Sequence, residues 1–487
     1  MTDQHERRTI RGIWRPIGIG VAVLLIAAIG FIAFAFFTRG EIRPSQRMHP
    51  DGIVFGAEVP ADRLVTASFV TDLAVAPDGE IFYVEHLTGR IGRLTPSEAG
   101  SLIDTTVVQF DLPEAGRLFH LALHPEWPVQ PVLYVTAHEG MGTQQRLAVF
   151  RVQVNAGVGD SPERLVGGLP TEDPARGPQA DHYGSALAIC ESFLYLSIGD
   201  TDSPGPGGYR PGEVRFRAQQ ADRAEGKILR YRLDGIDLEP AGVLGDAPPV
   251  YALGLRNVFA MDCDPSTGWP IAVDNGTAGF DQIRLIEPGS NHEWPRSDER
   301  NEQTPPLFDS ADAAIAPTGI VARRSGAQGT ELLFTSFHLE SVYALLVGAD
   351  GELSGPVELR HAVEGTPLSL AGDAAGCVYL GTSDGIWLIR EPGCDRQFAT
   401  APSEAGTDRF SGDPASVYTA NCAPCHGLQR EGGEAPRLRD DRLTEPDAFY
   451  IDTILEGRLA AGMPSWAAAG MSEAQARVIL EFLRSDP

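Results

Sequence analysis

The chain has 487 residues, of which 43% are hydrophobic and 22% are charged, as in ordinary globular proteins. This length exceeds what one compact core usually organises, and it predicts two or three structural units. The chain carries 39 basic and 66 acidic residues, a formal net charge of −27. Such a surface repels polyanions, which excludes nucleic acid as a partner.

The N-terminal segment predicts a membrane anchor. Four arginines, at positions 7, 8, 11 and 15, precede an uncharged run from Pro16 to Thr38. As a helix, this run is long enough to cross a hydrocarbon core of about 30 Å. Three arginines follow the run and weaken the charge asymmetry, but no small-residue cleavage site follows it. We therefore predict that residues 1–44 form a cytoplasmic tail and a single inner-membrane helix, with the bulk of the chain in the periplasm.

Residues 45–395 show short β-rich runs arranged as strand, turn and strand, with little helical periodicity. Six such units recur, spaced by about 45–70 residues. They cover 73–84, 121–135, 185–197, 257–273, 319–334 and 368–380. A small sheet cannot bury both of its faces alone, and stacking around an axis supplies the missing burial. The pattern therefore predicts a mainly β protein with a six-bladed β-propeller.

Four cysteines lie within the predicted propeller. They are Cys190, Cys263, Cys377 and Cys394. An exported protein meets an oxidising compartment, so disulfides are expected there. Four cysteines allow three pairings, and free buried thiols are the alternative. The sequence does not choose among these possibilities.

The C-terminal region carries a haem-attachment motif, Cys422-Ala-Pro-Cys425-His426. The two thiols of C-x-x-C-H add to the two vinyl groups of one porphyrin, and the adjacent imidazole reaches the iron. A plain disulfide or a thioredoxin-like pair is the alternative, but neither requires the histidine. The motif predicts one covalently bound haem c, carried by residues 411–487 after a mobile linker at 396–410.

The residues around the motif predict an all-α domain. Asp413-Pro414 is typical of a helix start, and Ser472 with Gln475 forms a capping box before a closing helix. This region resembles the class I cytochrome c family. The resemblance implies that His426 is the proximal iron ligand and that Met463, between Gly462 and Pro464, is the distal one. Met471, just before the capping box, is the competing thioether and is interpreted as a packing residue.

The propeller segment resembles the PQQ-dependent soluble aldose (glucose) dehydrogenases and their sorbosone dehydrogenase-like relatives. The resemblance is carried by five segments: Leu121-Ala-Leu-His-Pro, Asp181-His182, Gly226-Lys-Ile-Leu-Arg, Ala252-Leu-Gly-Leu-Arg-Asn and the run from Asp281 to Pro295. It implies a six-bladed propeller that binds pyrroloquinoline quinone (PQQ) and oxidises a sugar. His124, in the first of these segments, is interpreted as a structural turn residue.

The same resemblance implies a set of site residues. The family's catalytic base matches His182, with the carboxylate of Asp181 beside it, and a histidine suits proton removal near neutral pH. The arginine that stabilises charge matches Arg256, with Asn257 beside it. A Ca²⁺ that polarises the quinone would take backbone oxygens from Gly276 and Thr277. Structural roles for His182 and Arg256, the latter as an inter-blade ion pair, remain the alternatives.

The chain departs from the family where PQQ carboxylates are bound. A family lysine is replaced by His338, two family arginines fall on Thr366 and Leu368, and a family glutamine falls near Ala115. PQQ has three carboxylates, and arginine–carboxylate contacts are strong, so lost cations weaken binding unless others replace them. The candidate replacements are Arg117, Arg215, Arg217, Arg323 and Arg324.

These observations favour a membrane-anchored periplasmic quinohaemoprotein. It would oxidise an aldose or a related alcohol or aldehyde through PQQ, pass electrons to its own haem, and deliver them to an external cytochrome or oxidase. The alternative is an electron-transfer cytochrome whose degenerate propeller is a non-catalytic docking module. A third possibility is a Ca²⁺-dependent propeller hydrolase of the lactonase type, but hydrolysis needs no electron sink.

Overall fold

The computed structural model describes most of the chain beyond residue 52. The described residues are 53–55, 59–86, 88–97, 100–110, 117–139, 146–171, 182–201, 217–276, 280–294, 304–311, 313–326, 329–363, 365–398, 410, 412–427, 429–430, 436–439, 442–458, 463, 466–467 and 471–485. The anchor predicted within residues 1–44 lies outside them. Among the described helices, none is long and apolar enough to span a bilayer.

The described strands form six sheets, each made mostly of consecutive antiparallel strands. Blade 1 contains β3 (Val70–Val75), β4 (Ile81–Glu85), β5 (Arg90–Pro96) and β6 (Leu102–Gln109). Blade 2 contains β7 (Leu118–Leu123), β8 (Val132–Glu139), β9 (Arg146–Asn155), the short β10 (Val158–Gly159) and β11 (Glu163–Pro170). Blade 3 contains β12 (Gly184–Cys190), β13 (Phe193–Ile198), β14 (Lys227–Asp234), β15 (Asp237–Pro240) and β16 (Val250–Leu253).

The other three sheets follow the same plan. Blade 4 contains β17 (Val258–Cys263), β18 (Pro270–Asp274), β19 (Gln282–Leu285) and β20 (Phe308–Asp309). Blade 5 contains β21 (Ile320–Arg324), β22 (Gly329–Ser336), β23 (Ser341–Gly348) and β24 (Val357–Ala362), with β1 (Ile53–Phe55) added in parallel to β24. Blade 6 contains β25 (Pro367–Gly372), β26 (Val378–Thr382), β27 (Gly385–Ile389) and β2 (Ala61–Thr66).

The innermost strands form a closed ring. Each of β3, β7, β12, β17, β21 and β25 packs against the next, and β25 packs against β3. An early strand completes the last blade, because β2 pairs with β27 from Ala61↔Ile389 to Thr66↔Gly385. The prediction of a six-bladed propeller is confirmed.

Buried hydroxyl groups join neighbouring blades at the inner strands. Thr136 Oγ1 donates to the carbonyl of Ser185, 3.1 Å away, and so links blades 2 and 3. Ser197 Oγ donates to the carbonyl of Val258 at 2.9 Å, which links blades 3 and 4. Ser369 Oγ donates to the carbonyl of the first residue of β3 at 3.1 Å, which closes the ring. Satisfied side-chain hydrogen bonds of this kind fix the register between blades as well as the packing.

Two disulfides settle the cysteine pairing that the sequence left open. Cys190 bonds to Cys263 and joins the inner strands of blades 3 and 4. Cys377 bonds to Cys394 within the last blade and its following segment. Of the alternatives that the sequence left open, these four cysteines therefore form bridges and are not free thiols.

Four helices are present among the described residues of the C-terminal unit. They are α1 (Pro414–Asn421), α2 (Ala423–His426), α3 (Asp447–Glu456) and α4 (Glu473–Arg484). The carboxylate of Asp413 accepts from the backbone of Ser416 at the start of α1, and the predicted capping box of Ser472 and Gln475 is present. The core packs Tyr418, Ile451, Trp466, Met471 and Ile479 together. Met471 is 4% exposed within this core, and its role as a packing residue stays a prediction.

Candidate active site and haem site

Inner strands begin at one face of the propeller, and a repeated hydrogen bond marks that face. In each of the six blades, a residue at the end of the second strand, or just after it, donates its N–H to the carbonyl of the residue just before the first strand. The donor–acceptor pairs are His86 to Phe69, His138 to Arg117, Gly199 to Tyr183, Asn275 to Asn257, Thr335 to Gly319 and Ser383 to Thr366. The repeat shows that His182, which precedes Tyr183, and Arg256, which precedes Asn257, occupy equivalent positions in neighbouring blades.

His182 is held by a buried carboxylate. Its Nδ1 lies 2.6 Å from Oδ1 of Asp200, and the two residues are 5% and 3% exposed. Its Nε2 lies 2.6 Å from Nη2 of Arg256. A guanidinium can only donate, so Nε2 is an acceptor and the proton of the neutral ring is on Nδ1. The geometry thus fixes the tautomer that a general base needs.

Arg256 is anchored at both its backbone and its side chain. Its Nη1 donates to the carbonyls of Asn275 and Gly276, both at 2.6 Å. Its backbone N–H, like that of Asn257, points at the carboxylate of Asp274. Burial raises the pKa of Asp274, while Arg284 and these backbone donors oppose the shift. The guanidinium is therefore positioned before any ligand arrives.

Trp294 completes the support of Asp200. Its Nε1 donates to Oδ2 of Asp200 at 2.6 Å, and its ring lies 5.5 Å from Cζ of Arg256. The carbonyl of Trp294 accepts from Nε2 of Gln219 at 2.7 Å. Each oxygen of Asp200 therefore meets a ring N–H, which leaves the carboxylate one orientation.

His338 lies in the same connected cluster. Asp281 accepts the backbone N–H of Gly276 with one oxygen and those of Ile315 and Ala316 with the other, all at 2.8 Å. The backbone N–H of His338 donates to the carbonyl of Ile315. Burial lowers the pKa of His338, and the charge of Asp281 partly opposes this. His338 is thus held close to the loop that carries Gly276.

Several buried polar atoms at this face have no hydrogen-bond partner among the described residues. They are Ser185 Oγ, Thr201 Oγ1, Arg256 Nε, Asn275 Oδ1 and His338 Nδ1. Buried polar groups are seldom left unpaired, and three of these are certain donors. Ser185 and Thr201 also have left-handed φ angles of 76° and 54°, a strain that concentrates at functional sites. The set fits an acceptor-rich anionic ligand, which is the chemistry of PQQ.

The structure revises some predicted positions. Asp181 and Thr277 lie outside the described residues, and the carboxylate that holds His182 is Asp200, which sequence reasoning missed. A signal was available, because Asp200 lies two residues after the end of β13. Of the two backbone oxygens predicted to bind Ca²⁺, that of Gly276 accepts a hydrogen bond from Arg256.

The five arginines predicted to replace the missing family cations differ in where they lie and in whether they are already paired. Arg323 is paired with Glu331 and Glu391, and Arg324 donates to the carbonyl of Pro265. Both are at the far end of β21, so neither can serve the ligand. Arg117 directly precedes β7, at the same face of the propeller as His182. Burial, and secondly the charge of Arg117, lower the pKa of His86 to about 3. Arg217 lies in a 3-10 turn, Arg215 and Ala115 lie outside the described residues, and Thr366 and Leu368 supply no charge.

The haem motif has the geometry that iron ligation needs. His426 ends α2, and its Nδ1 lies 2.7 Å from the carbonyl of Pro436. This contact assigns the proton to Nδ1 and leaves Nε2 for the iron. Burial lowers the pKa of His426, which keeps the ring neutral for metal binding. Cys422 is partly exposed beside it. The side chain of Cys425 lies outside the described part of the chain.

Met463 is placed by a short backbone pairing. Its carbonyl accepts from the N–H of Arg458 at 2.9 Å, and its N–H donates back at 3.2 Å. The side chain is half-buried against the same core that contains Cys422. The residues present therefore fit a haem c, with Met463 available as the second axial ligand.

Family comparisons agree with this geometry. Residues 69–319, just over half of the chain, match the model of the glucose/sorbosone dehydrogenase family. Residues 412–483 match the family described as cytochrome c oxidase, cbb3-type, subunit III. A curated relative, an uncharacterised protein of Synechocystis, is 30% identical over 235 residues. That match covers 46% of this chain and 55% of the relative, so it spans about half of the relative's length.

Solved structures resemble the propeller. A putative oxidoreductase (glucose dehydrogenase) from Thermus thermophilus is 24% identical, with a TM-score of 0.55, and covers 68% of this chain and 99% of its own. The PQQ-bound aldose sugar dehydrogenase of Streptomyces coelicolor is 20% identical, with a TM-score of 0.54, and covers 69% and 99%. These likenesses show the fold. Together with the family match and the C-terminal match, they establish that the chain belongs to the glucose/sorbosone dehydrogenase family and carries a cytochrome c domain.

Proposed function

We propose that this protein is a quinohaemoprotein dehydrogenase, anchored in the inner membrane with its bulk in the periplasm. It oxidises an aldose or a related alcohol or aldehyde with PQQ, and it passes the electrons to its own haem and then to an external acceptor. The observation that carries the proposal is the hydrogen-bonded series Asp200–His182–Arg256 among unpaired buried donors. Supporting it are the family match and the fusion to a haem-binding unit.

The proton chemistry follows from the tautomer of His182. A substrate hydroxyl that donates to Nε2 takes the position of Nη2 of Arg256. As the hydroxyl proton moves to Nε2, the imidazolium is stabilised by Asp200, which remains ionised. The displaced guanidinium stays tied to two carbonyls and faces the substrate oxygen, where it stabilises the developing negative charge.

PQQ, when bound, supplies the acceptor for the hydride removed from the substrate carbon. The groups that would hold it are the unpaired atoms of Ser185, Thr201, Arg256 and His338. His426 and Met463 would hold the iron of the haem, and that group would supply a one-electron acceptor. A methionine–histidine pair raises the iron potential, which suits an acceptor of electrons from a reduced organic cofactor. Covalent fusion keeps that acceptor at high effective concentration.

Substrate-driven haem reduction tests the proposal. The purified protein is given PQQ and a panel of aldoses, alcohols and aldehydes, and the haem absorption is followed. We expect at least one substrate to reduce the haem, and His182→Ala to abolish this. His361→Ala is the matched control, because His361 lies on β24, which two strands separate from the inner strand of blade 5. Haem that stays oxidised with every substrate would refute the dehydrogenase.

The second candidate is a cytochrome with a non-catalytic propeller. It is favoured by one observation, the neutral residues His338, Thr366 and Leu368 at positions where the family carries cations. A propeller of this kind would not bind PQQ. Equilibrium dialysis of PQQ against the oxidised protein therefore separates the two functions without any substrate.

A further inference from the structure

The loop after β18 presents two backbone oxygens that are already bound to a positive charge. The carbonyls of Asn275 and Gly276 both accept from Nη1 of Arg256 at 2.6 Å. Paired backbone carbonyls are hard ligands, and such a pair attracts a cation. In this structure, the cation that meets them is a guanidinium.

Further contacts hold Arg256 beside these carbonyls. Its backbone N–H points at the buried carboxylate of Asp274, and its other terminal nitrogen lies 2.6 Å from Nε2 of His182. The ring of Trp294 lies 5.5 Å from Cζ of the guanidinium. These contacts fix the side chain from the backbone, from the catalytic base and from the loop at once.

The nearby carboxylates are also committed. Asp281 uses one oxygen for the N–H of Gly276 and the other for two further backbone N–H groups. Asp274 accepts two backbone N–H groups at distances down to 2.7 Å. Turning either carboxylate toward an ion would leave buried N–H groups unpaired, which is costly. Among the described residues, no group of three or more histidine, cysteine or acidic side chains could hold a metal.

A calcium ion does not fit this arrangement. Ca²⁺ takes six to eight oxygen ligands at about 2.3–2.6 Å. An ion on either carbonyl would lie within about 5 Å of Nη1, since each metal–oxygen and nitrogen–oxygen contact is only about 2.5 Å long. A dication and a guanidinium at that separation repel strongly in a half-buried site.

We propose that the guanidinium of Arg256 is the resident cation of the Asn275–Gly276 carbonyl pair, and that the site binds its quinone without Ca²⁺. The second half of this statement rests on the proposed function, whereas the first half does not. Arg256 then has two positioning tasks, because the same guanidinium fills the oxygen pair and presents Nη2 to His182.

Terbium luminescence tests the first half. Tb³⁺ resembles Ca²⁺ in its preference for oxygen ligands, and an ion at these carbonyls would be sensitised by the nearby indole of Trp294. We expect the chelator-treated wild type to show no saturable luminescence that Ca²⁺ displaces. Arg256→Ala should gain such a signal by at least about fivefold, whereas Arg256→Lys, which keeps a positive charge, should not.

Two controls locate the signal. Trp294→Phe in the Arg256→Ala background should remove the luminescence if the ion lies at this site. Arg324→Ala is the matched arginine control, because Arg324 also donates to a backbone carbonyl but lies at the far end of β21. Ca²⁺-displaceable luminescence in the wild type would overturn the proposal. So would the absence of any gain in Arg256→Ala, since the guanidinium would then not be what excludes the ion.

PQQ binding tests the second half. Quenching of tryptophan fluorescence by PQQ is titrated in EGTA and in millimolar Ca²⁺, and we expect the two affinities to agree within about twofold. A loss of more than tenfold in EGTA would overturn the claim that Ca²⁺ is dispensable. If PQQ quenches in neither buffer, the proposed function fails, and the terbium measurement still decides the role of Arg256.

Discussion

Replacement of Asp200 by asparagine should invert the tautomer of His182. The two oxygens of Asp200 accept from Nδ1 of His182 and from Nε1 of Trp294, each at 2.6 Å. An amide has one acceptor oxygen and one donor NH₂. The indole N–H can only donate, so it holds the amide oxygen and turns the NH₂ toward His182.

The imidazole can then accept from the amide only if its proton moves to Nε2. Nε2 becomes a donor, faces the donor Nη2 of Arg256, and cannot take a proton from substrate. The loss of a correctly oriented base of this kind costs about 10⁴ in rate, which corresponds to about 5.5 kcal/mol of activation free energy at 1.36 kcal/mol per tenfold. Volume and fold should change little, because asparagine is nearly isosteric with aspartate.

The assay is the rate of substrate-driven haem reduction in the PQQ-loaded protein, at saturating substrate. The double variant Asp200→Asn/Trp294→Phe gives the sharper test. Without the indole N–H, the amide can turn its oxygen to His182 and restore the Nδ1 tautomer, so we expect part of the rate to return. Asp200→Asn with more than about a tenth of the wild-type rate, or a double variant slower than the single one, would contradict this reasoning.

Three further predictions follow from other parts of the structure. Arg430 is 4% exposed and donates to the carbonyls of Phe482, Leu483 and Ser485 at the end of α4. Arg430→Met should therefore destabilise the haem unit by roughly 3 kcal/mol in denaturant unfolding monitored by haem absorption. An unchanged denaturation midpoint would contradict this prediction. Met463→Ala should lower the haem reduction potential in a redox titration, whereas Met471→Ala should leave the potential unchanged and reduce stability. Burial raises the pKa of Asp262 to about 6, so between pH 6 and about pH 4 the folded state binds more protons than the unfolded state. The free energy of unfolding should therefore rise as the pH falls through this window, by at most about 1.4 kcal/mol per pH unit. Asp262→Asn should remove this pH dependence.

Local signals in the sequence predicted the cytochrome c domain, which the family match supports. The attachment motif is a continuous stretch of five residues, and the capping box spans only four, so neither depends on the tertiary fold. The propeller was predictable for a different reason, because the same pattern recurs in six segments and each recurrence supports the interpretation of the others. What repeats most reliably is the strand–turn–strand pattern, and the structure shows the same hydrogen bond within each blade between the end of the second strand and the start of the first.

The carboxylate partner of His182 was harder to predict. Asp181 is adjacent in sequence, but Asp200 reaches the ring from the end of the neighbouring strand, 18 residues away. That contact depends on the pairing of β12 with β13 and on the turn of the chain at Gly184. The disulfide between Cys190 and Cys263 was open for a similar reason, since it spans two blades. Contacts between residues that are distant in sequence form only when the strands pair and the blades pack, so the sequence of one segment does not predict them.

The way in which β2 completes blade 6 has a mechanical consequence. Strand β2 enters blade 6 at Ala61 and β27 leaves it at Ile389, and these two residues are partners at the same end of an antiparallel pair. A force that pulled the two ends apart would open this pair one residue pair at a time, but the bond of Cys394 to Cys377 transmits any pull from the later segment to the start of β26. Arg390 reinforces that end, because its N–H donates to the carbonyl of Pro60 and its side chain pairs with Asp62.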